Sequence, residues 1–184
     1  MYHIKKDRRA WASARLICEA LLHCLQTKPF HEITVSELQR VSSVSRSTFY
    51  RHFDSQSDVL ELLCDLAFRE IFQEFRRGTP IHRAIFHYWY EHSLLLGALV
   101  QSGQSDTFIR SFRRSLKAAA LPAVAGLEGA DLDYFLSTVA CILLGILSTW
   151  IRRGRKESEE ELIQELKKTF DVIHAVQAAG RPAV

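Results

Sequence analysis

The sequence predicts an all-α protein, and three observations carry that reading. One capped amphipathic helix follows another, the 184 residues hold only four prolines, and no run of alternating apolar and polar residues marks a strand. About nine helices are expected, in a three-helix N-terminal head (1–54), a connecting helix (55–79) and a larger helical body (80–184). A composition of 47% hydrophobic and 24% charged residues is that of a soluble globular chain with a sizeable core. Half of the first ten residues are charged, so no secretory leader is expected and the cytoplasm is the predicted compartment.

The first helix is predicted over 8–26, with Trp11, Leu16, Ala20 and Leu25 among the apolar positions that cover the next two helices. Past Pro29, Thr34 and Glu37 form a Thr-x-x-Glu capping box that opens a second helix. Val35, Leu38 and Val41 share one face of it, and the Ser42–Ser43 pair stops it before Val44 returns to the core. Ser45 then caps a short third helix from Arg46 to about Phe53. Phe49 and Phe53, four apart, point inward and leave Arg46, Ser47, Thr48, Tyr50 and Arg51 available.

Two short helices joined by a tight turn are the pattern of a helix-turn-helix DNA reader, whose second helix fits the major groove. Arg46, Ser47 and Thr48, near its start, are expected to reach base edges, with Ser45 and Arg51 beside them. Thr34, Tyr50 and His52 are placed to meet phosphates, contacts that orient without reading sequence. Charge agrees. Residues 1–53 hold nine Lys and Arg against four acids, whereas 54–184 hold fifteen against seventeen, so a basic head sits on a mildly acidic body. The run Lys5–Arg9 reads either as a solvated terminus or as an arm on the DNA backbone.

This segment resembles the TetR family of bacterial transcription regulators through Thr34–Val35, Leu38, Val44–Ser45, Thr48–Phe49–Tyr50–Arg51–His52–Phe53 and Leu60. The resemblance implies that Tyr50 and His52 contact phosphates, that the Arg46 to Tyr50 stretch lines the major groove, and that the body holds a pocket for a small effector. Three positions depart from the family pattern: Gln39 for a small Ala, Ser43 for Gly and Gln56 for a phosphate-binding Lys. Ser adopts the turn conformation only at a steric cost that Gly avoids, and Gln56 donates a hydrogen bond but releases no counterion, so weaker DNA binding is expected.

A helix at about 57–77 carries Leu60, Leu63, Ala67, Phe68, Ile71 and Phe75 inward and joins head to body, and Gly78-Thr79-Pro80 is the clearest boundary. In the body, one helix from Ile81 to Val100 and another at about 106–119 are rich in aromatics; Phe86, Tyr90, Phe108 and Phe112 are the candidate pocket residues, with core packing as the alternative. The run Phe135–Ile151 is apolar all round and barely long enough for a bilayer. It is assigned instead to a two-fold homodimer, with no membrane as partner. Ser158 and Glu161 cap a last helix. Phe135, Val139, Leu143 and Leu147, with Leu162, Leu166, Phe170 and Ile173, are the predicted interface. Gly145 to Leu162 also resembles the C-terminal helix pair of TetR-type regulators, some of which control dihydroxyacetone kinase genes.

Cys18, Cys24, Cys64 and Cys141 are scattered on apolar stretches and the eight His are dispersed, so buried reduced thiols are expected and no metal or other cofactor. No catalytic motif is visible, and an enzyme is the least favoured class. The leading expectation is a repressor that binds a palindromic double-stranded operator and is released by a small effector. The alternatives are an activator of the same fold and a dimeric small-molecule or protein-binding module with a weakened reader.

Overall fold

Hydrogen-bond acceptors in the sequence set where the helices start. In the computed structural model, which describes residues 2–5, 7–119 and 126–179, the Asp7 carboxylate accepts from the Arg9 and Ala10 amides and opens α1 (Arg8–Cys24). A 3₁₀ turn at Phe30–Glu32 leads to α2 (Val35–Ser42) behind Thr34, and Ser45 opens α3 (Arg46–His52). There follow α4 (Gln56–Arg76), α5 (Ile81–Glu91), α6 (Ser93–Gln101), α7 (Ser105–Ala119), α8 (Gly129–Arg152) and α9 (Glu159–Ala179), nine α-helices and no strand among the described residues. Of the basic run at the N-terminus, Lys6 lies outside them.

The head closes on a stripe of α1 made by Ala14, Ile17, Leu21 and Cys24, to which Ala20 and Leu25 add. Trp11 and Leu16, expected in that stripe, are exposed. At 3.6 residues per turn both lie roughly 100–120° from the centre of the stripe, Trp11 on one flank and Leu16 on the other. The 21 residues of α4 span about 30 Å and pack on α1 below and on α5 and α7 above, so one rigid rod carries the head and anchors the body. Its end is a Schellman motif: Thr79 N donates to Glu74 O (3.2 Å) and Gly78 N to Phe75 O (3.0 Å), with Gly78 at φ +102°.

The expected single helix from Ile81 to Val100 is broken at His92 (φ −104°, ψ 37°). The His92 ring stacks on Tyr88 at 4.0 Å, and both its backbone N and its Nδ1 lie 2.9 Å from Tyr88 O. A side chain that bonds back to the last turn competes with the next backbone hydrogen bond, so α5 ends and α6 begins at the same residue. The long helix α8 meets the length and composition of a bilayer span, yet Leu136, Ala140, Leu143, Leu147 and Trp150 repeat at spacings of four and three along a side buried in its own chain. At the far end both halves of a capping box form: Ser158 N donates to Glu161 Oε2 (2.7 Å) and Glu161 N to Ser158 Oγ (3.4 Å).

Cys18, Cys24 and Cys64 are buried thiols, and burial pushes Cys18 up to about 12. Cys141 is the exception to the expectation of four buried thiols, since it lies on the outer side of α8.

Candidate nucleic-acid interface

Thr34 Oγ1 accepts from Glu37 N at 3.2 Å, one half of the expected box. The other half is missing because Glu37 turns to Lys28, 2.9 Å away, and to Arg40 at 4.0 Å. The Lys28 hydrogen bond, the largest cause, holds the Glu37 carboxyl below the usual carboxylate range. The pair clips the loop before the 3₁₀ turn onto α2.

The turn between α2 and α3 places Ser43 at φ 56°, ψ 21°, the left-handed region in which an L side chain is disfavoured by roughly 1–2 kcal/mol. Ser43→Gly is therefore expected to stabilise the fold by about 1 kcal/mol, a rise of about 2–4 °C in the thermal midpoint for a chain of this size. A fall in the midpoint would contradict the strain. Gln39, the second departure from the family pattern, leaves its buried Nε2 without a hydrogen-bond partner.

Ser45 Oγ accepts from Thr48 N (3.2 Å) and lies 2.9 Å from Thr48 Oγ1 and 3.1 Å from Ser47 Oγ, so three hydroxyls cluster at the start of α3. Phe49 and Phe53, both fully buried with ring centroids 5.7 Å apart, fix α3 against the head. That leaves Arg46, Ser47, Tyr50 and Arg51 exposed and Thr48 half-buried on the outer face. The Arg46 guanidinium lies 5.5 Å from the Tyr50 ring centre, and Tyr50 stands edge-on to Phe49, so both side chains are held before any ligand arrives.

His52 is not on that face. It is only 2% exposed, edge-on to Phe53, with Nδ1 unpartnered, and burial first, then Arg51 and His3, pushes its pKa down. The expected phosphate contact from its ring is therefore corrected. Position 52 is three residues past Phe49 and shares its buried face. The His52 carbonyl accepts from His3 N at 3.0 Å, which seats the N-terminal segment against the end of α3. Thr34, Ser45, Arg46, Ser47, Thr48, Tyr50 and Arg51 remain at or near one surface.

Residues 17–63 match the model of bacterial regulatory proteins of the tetR family, and 79–171 match a transcriptional regulator C-terminal region of the same family. The chain belongs to the TetR family. In fold it is similar to a protein from Listeria innocua (TM-score 0.77, 17% identical, covering 93% of this chain and 96% of that one). It is also similar to a TetR transcriptional regulator from Streptococcus agalactiae (TM-score 0.59, 23% identical, 89% and 96% covered). A curated relative, the HTH-type dhaKLM operon transcriptional activator DhaS of Lactococcus lactis, is 24% identical over 67 residues. That match spans 36% of this chain and 36% of the relative's length.

In the body of this TetR-family chain the aromatics divide. Phe86 and Phe108, expected to line a pocket, are fully buried; Phe68 stands edge-on to Trp89 (5.6 Å), Phe108 (5.0 Å) and Phe112 (5.5 Å) in a solid aromatic core. Tyr90 instead stacks on Trp150 at 5.3 Å. Phe112 borders a cavity of about 270 Å³ walled by Ile81, Ile85, Phe112, Phe135, Val139 and Phe170 among others, with His82 its one polar residue, and the other three are not in its wall.

The expected interface divides too. Leu143, Leu147 and Leu162 are buried in their own chain, a correction: a helix apolar on all sides carries no phase in its sequence. The outer side of α8 presents Tyr134, Thr138, Cys141, Gly145 and Thr149, and α9 presents Phe170, Ile173 and Val176.

Proposed function

We propose that this chain is a sequence-reading transcription regulator in which 1–54 is the reader, 55–79 the connector and 80–184 the ligand-binding and dimerisation body. The observation that carries the proposal is the outer face of α3, where Arg46, Ser47, Thr48 and Tyr50 are anchored from behind by Phe49 and Phe53. A helix of this width enters the major groove, and donors near its start meet base edges. Thr34, Tyr50 and Arg51 supply phosphate contacts, which position and do not specify. His52 contributes through its place in the packing and not through its ring.

A homodimer is part of the proposal. Along α9 the apolar stripe leaves the body step by step, from Leu162 at 2% exposed to Phe170 at 41% and Val176 at 67%. The matching outer side of α8 is small at Gly145, where a Cβ would meet nothing within 4 Å. Such a face admits close approach of a second α8 about a two-fold axis. Gly145→Arg is therefore expected to change the protomer's own folding stability by no more than about 1 kcal/mol and to convert dimer to monomer in sedimentation; a dimer that persists would move the interface elsewhere.

Two readers tied by such a dimer meet half-sites about 34–36 Å apart or a multiple. The hydrocarbon walls of the cavity between α5, α7, α8 and α9 favour an uncharged, apolar effector, which acts by preferring one reader separation. Moving a population from mostly bound to mostly released takes about 5.5 kcal/mol of differential affinity, and release from the operator makes the chain a repressor. Activation is the second reading, favoured by the Lactococcus lactis relative, which is named as an activator. DNA contact places the working protein in the bacterial cytoplasm. Selection of bound duplexes from a random pool tests the whole: a recovered palindrome supports reader and dimer together, and a pool without enrichment in low salt overturns the proposal.

A further inference from the structure

A second cavity, of about 240 Å³, opens between α4 and α7 beneath the N-terminal segment, and neither the reader nor the apolar cavity uses it. Arg69, Phe72 and Arg76 line it from α4, Arg114 and Ser115 from α7, and Tyr2 from the segment. Arg114 is already neutralised: Nη1 lies 2.7 Å from Asp65 Oδ2 and Nη2 3.5 Å from Glu61 Oε1. The Tyr2 hydroxyl donates to the same Asp65 oxygen at 2.7 Å. No carboxylate among the described residues pairs with Arg69 or Arg76. Asp65 is the one acid in the wall and is taken by Arg114, which leaves the guanidinium groups of Arg69 and Arg76 uncompensated there.

Arg69 and Arg76 are seven residues apart, about 10 Å along one face of α4, with Phe72 midway between them. Two long side chains at that spacing converge on a group held over Phe72. Guanidinium forks match phosphoryl oxygens, which take several charge-assisted hydrogen bonds at once. The buried Phe72 ring and Ala118 offer a carbon skeleton an apolar floor, and Ser115 a further hydroxyl. The site lies about 20–30 Å along α4 from Gln56, too far for the phosphates of a duplex lying on α3.

We propose that this cavity binds a small organic phosphate, with its phosphoryl group between Arg69 and Arg76 and its carbon part on Phe72. The occupant lies against Tyr2, and the next residue, His3, donates to the His52 carbonyl at the end of α3. A ligand that binds only when Tyr2 is docked therefore holds the segment against the reader. That consequence rests on the DNA-reading proposal; the binding itself does not.

Calorimetric titration of the full, DNA-free chain tests it with phenyl phosphate, inorganic phosphate and phenol. Phenyl phosphate is expected to saturate one site at least about tenfold more tightly than inorganic phosphate, through the buried ring area, and phenol to bind far more weakly. The Arg69→Gln/Arg76→Gln double variant is expected to weaken both phosphates by at least about tenfold, through loss of charge-assisted bonds. Its thermal midpoint should not move, since both side chains are exposed and unpaired. Four results would overturn the proposal: no saturable binding of phenyl phosphate, unchanged binding by the double variant, equal affinity for the two phosphates, which marks an adventitious ion only, or phenol binding as tightly as phenyl phosphate, which places the ring in the apolar cavity. Failure of the DNA-reading proposal appears separately, in the duplex selection, and leaves the titration intact.

Discussion

An Arg46→Ala chain is expected to lose sequence preference without losing its fold. Arg46 is exposed and its guanidinium rests 5.5 Å from the Tyr50 ring centre, so its removal disturbs little of the head's packing. If its guanidinium reads a base edge in each half-site, discrimination falls by about 1–3 kcal/mol per half-site, roughly 5- to 150-fold, and the two half-sites of a dimer compound the loss. Arg51→Ala is the control. Taking away a phosphate partner at that position weakens selected and scrambled duplexes alike and lowers the salt slope by about one per half-site. Competition between the two duplexes at several salt concentrations separates these outcomes. Equal weakening for both duplexes in Arg46→Ala would reassign Arg46 to the backbone.

How much of the fold is legible in the sequence follows from how local each signal is. Thr34, Ser45 and Ser158 announce their helices because a cap needs only a side chain and an amide two or three residues on. Phe49 and Phe53 mark the inner face of α3, and the same spacing argument, applied one step further, places His52 on it as well. Resemblance to the family draws that residue outward, whereas its own phase points inward. Phase also explains Trp11 and Leu16, whose apolar character says nothing of their angle around α1.

Other features are out of reach of the sequence because they join distant parts of the chain. Asp58, Glu61 and Asp65 are buried carboxylates on one face of α4. Of these, Asp65 and Glu61 are made tolerable by Arg114, and Asp65 also by Tyr2, residues 49, 53 and 63 positions away. No local pattern foretells that partnership. The aromatics of the body pose a different difficulty: Phe86 on α5 and Phe112 on α7 have the same chemistry, and only the way α5, α7, α8 and α9 come together decides which of them borders the cavity.

Phe68→Ala is expected to be the most damaging single truncation, at about 3–5 kcal/mol, because it removes a fully buried ring and leaves a void that rigid neighbours fill only in part. Phe68 is where the connector meets the body: its ring faces Trp89 on α5 and Phe108 and Phe112 on α7. The loss should appear as a lower denaturation midpoint with an unchanged denaturant slope, the mark of lost stability without a new unfolded state. A functional consequence follows from position. Phe112 touches Phe68 on one side and the apolar cavity on the other, so relaxation of Phe112 into the void enlarges that cavity. The Phe68→Ala chain should then accept a larger apolar probe than the parent and couple it less strongly to α4, the rod that carries the reader. A destabilisation below about 1 kcal/mol would mean that the aromatic cluster repacks freely and is no rigid joint between connector and body.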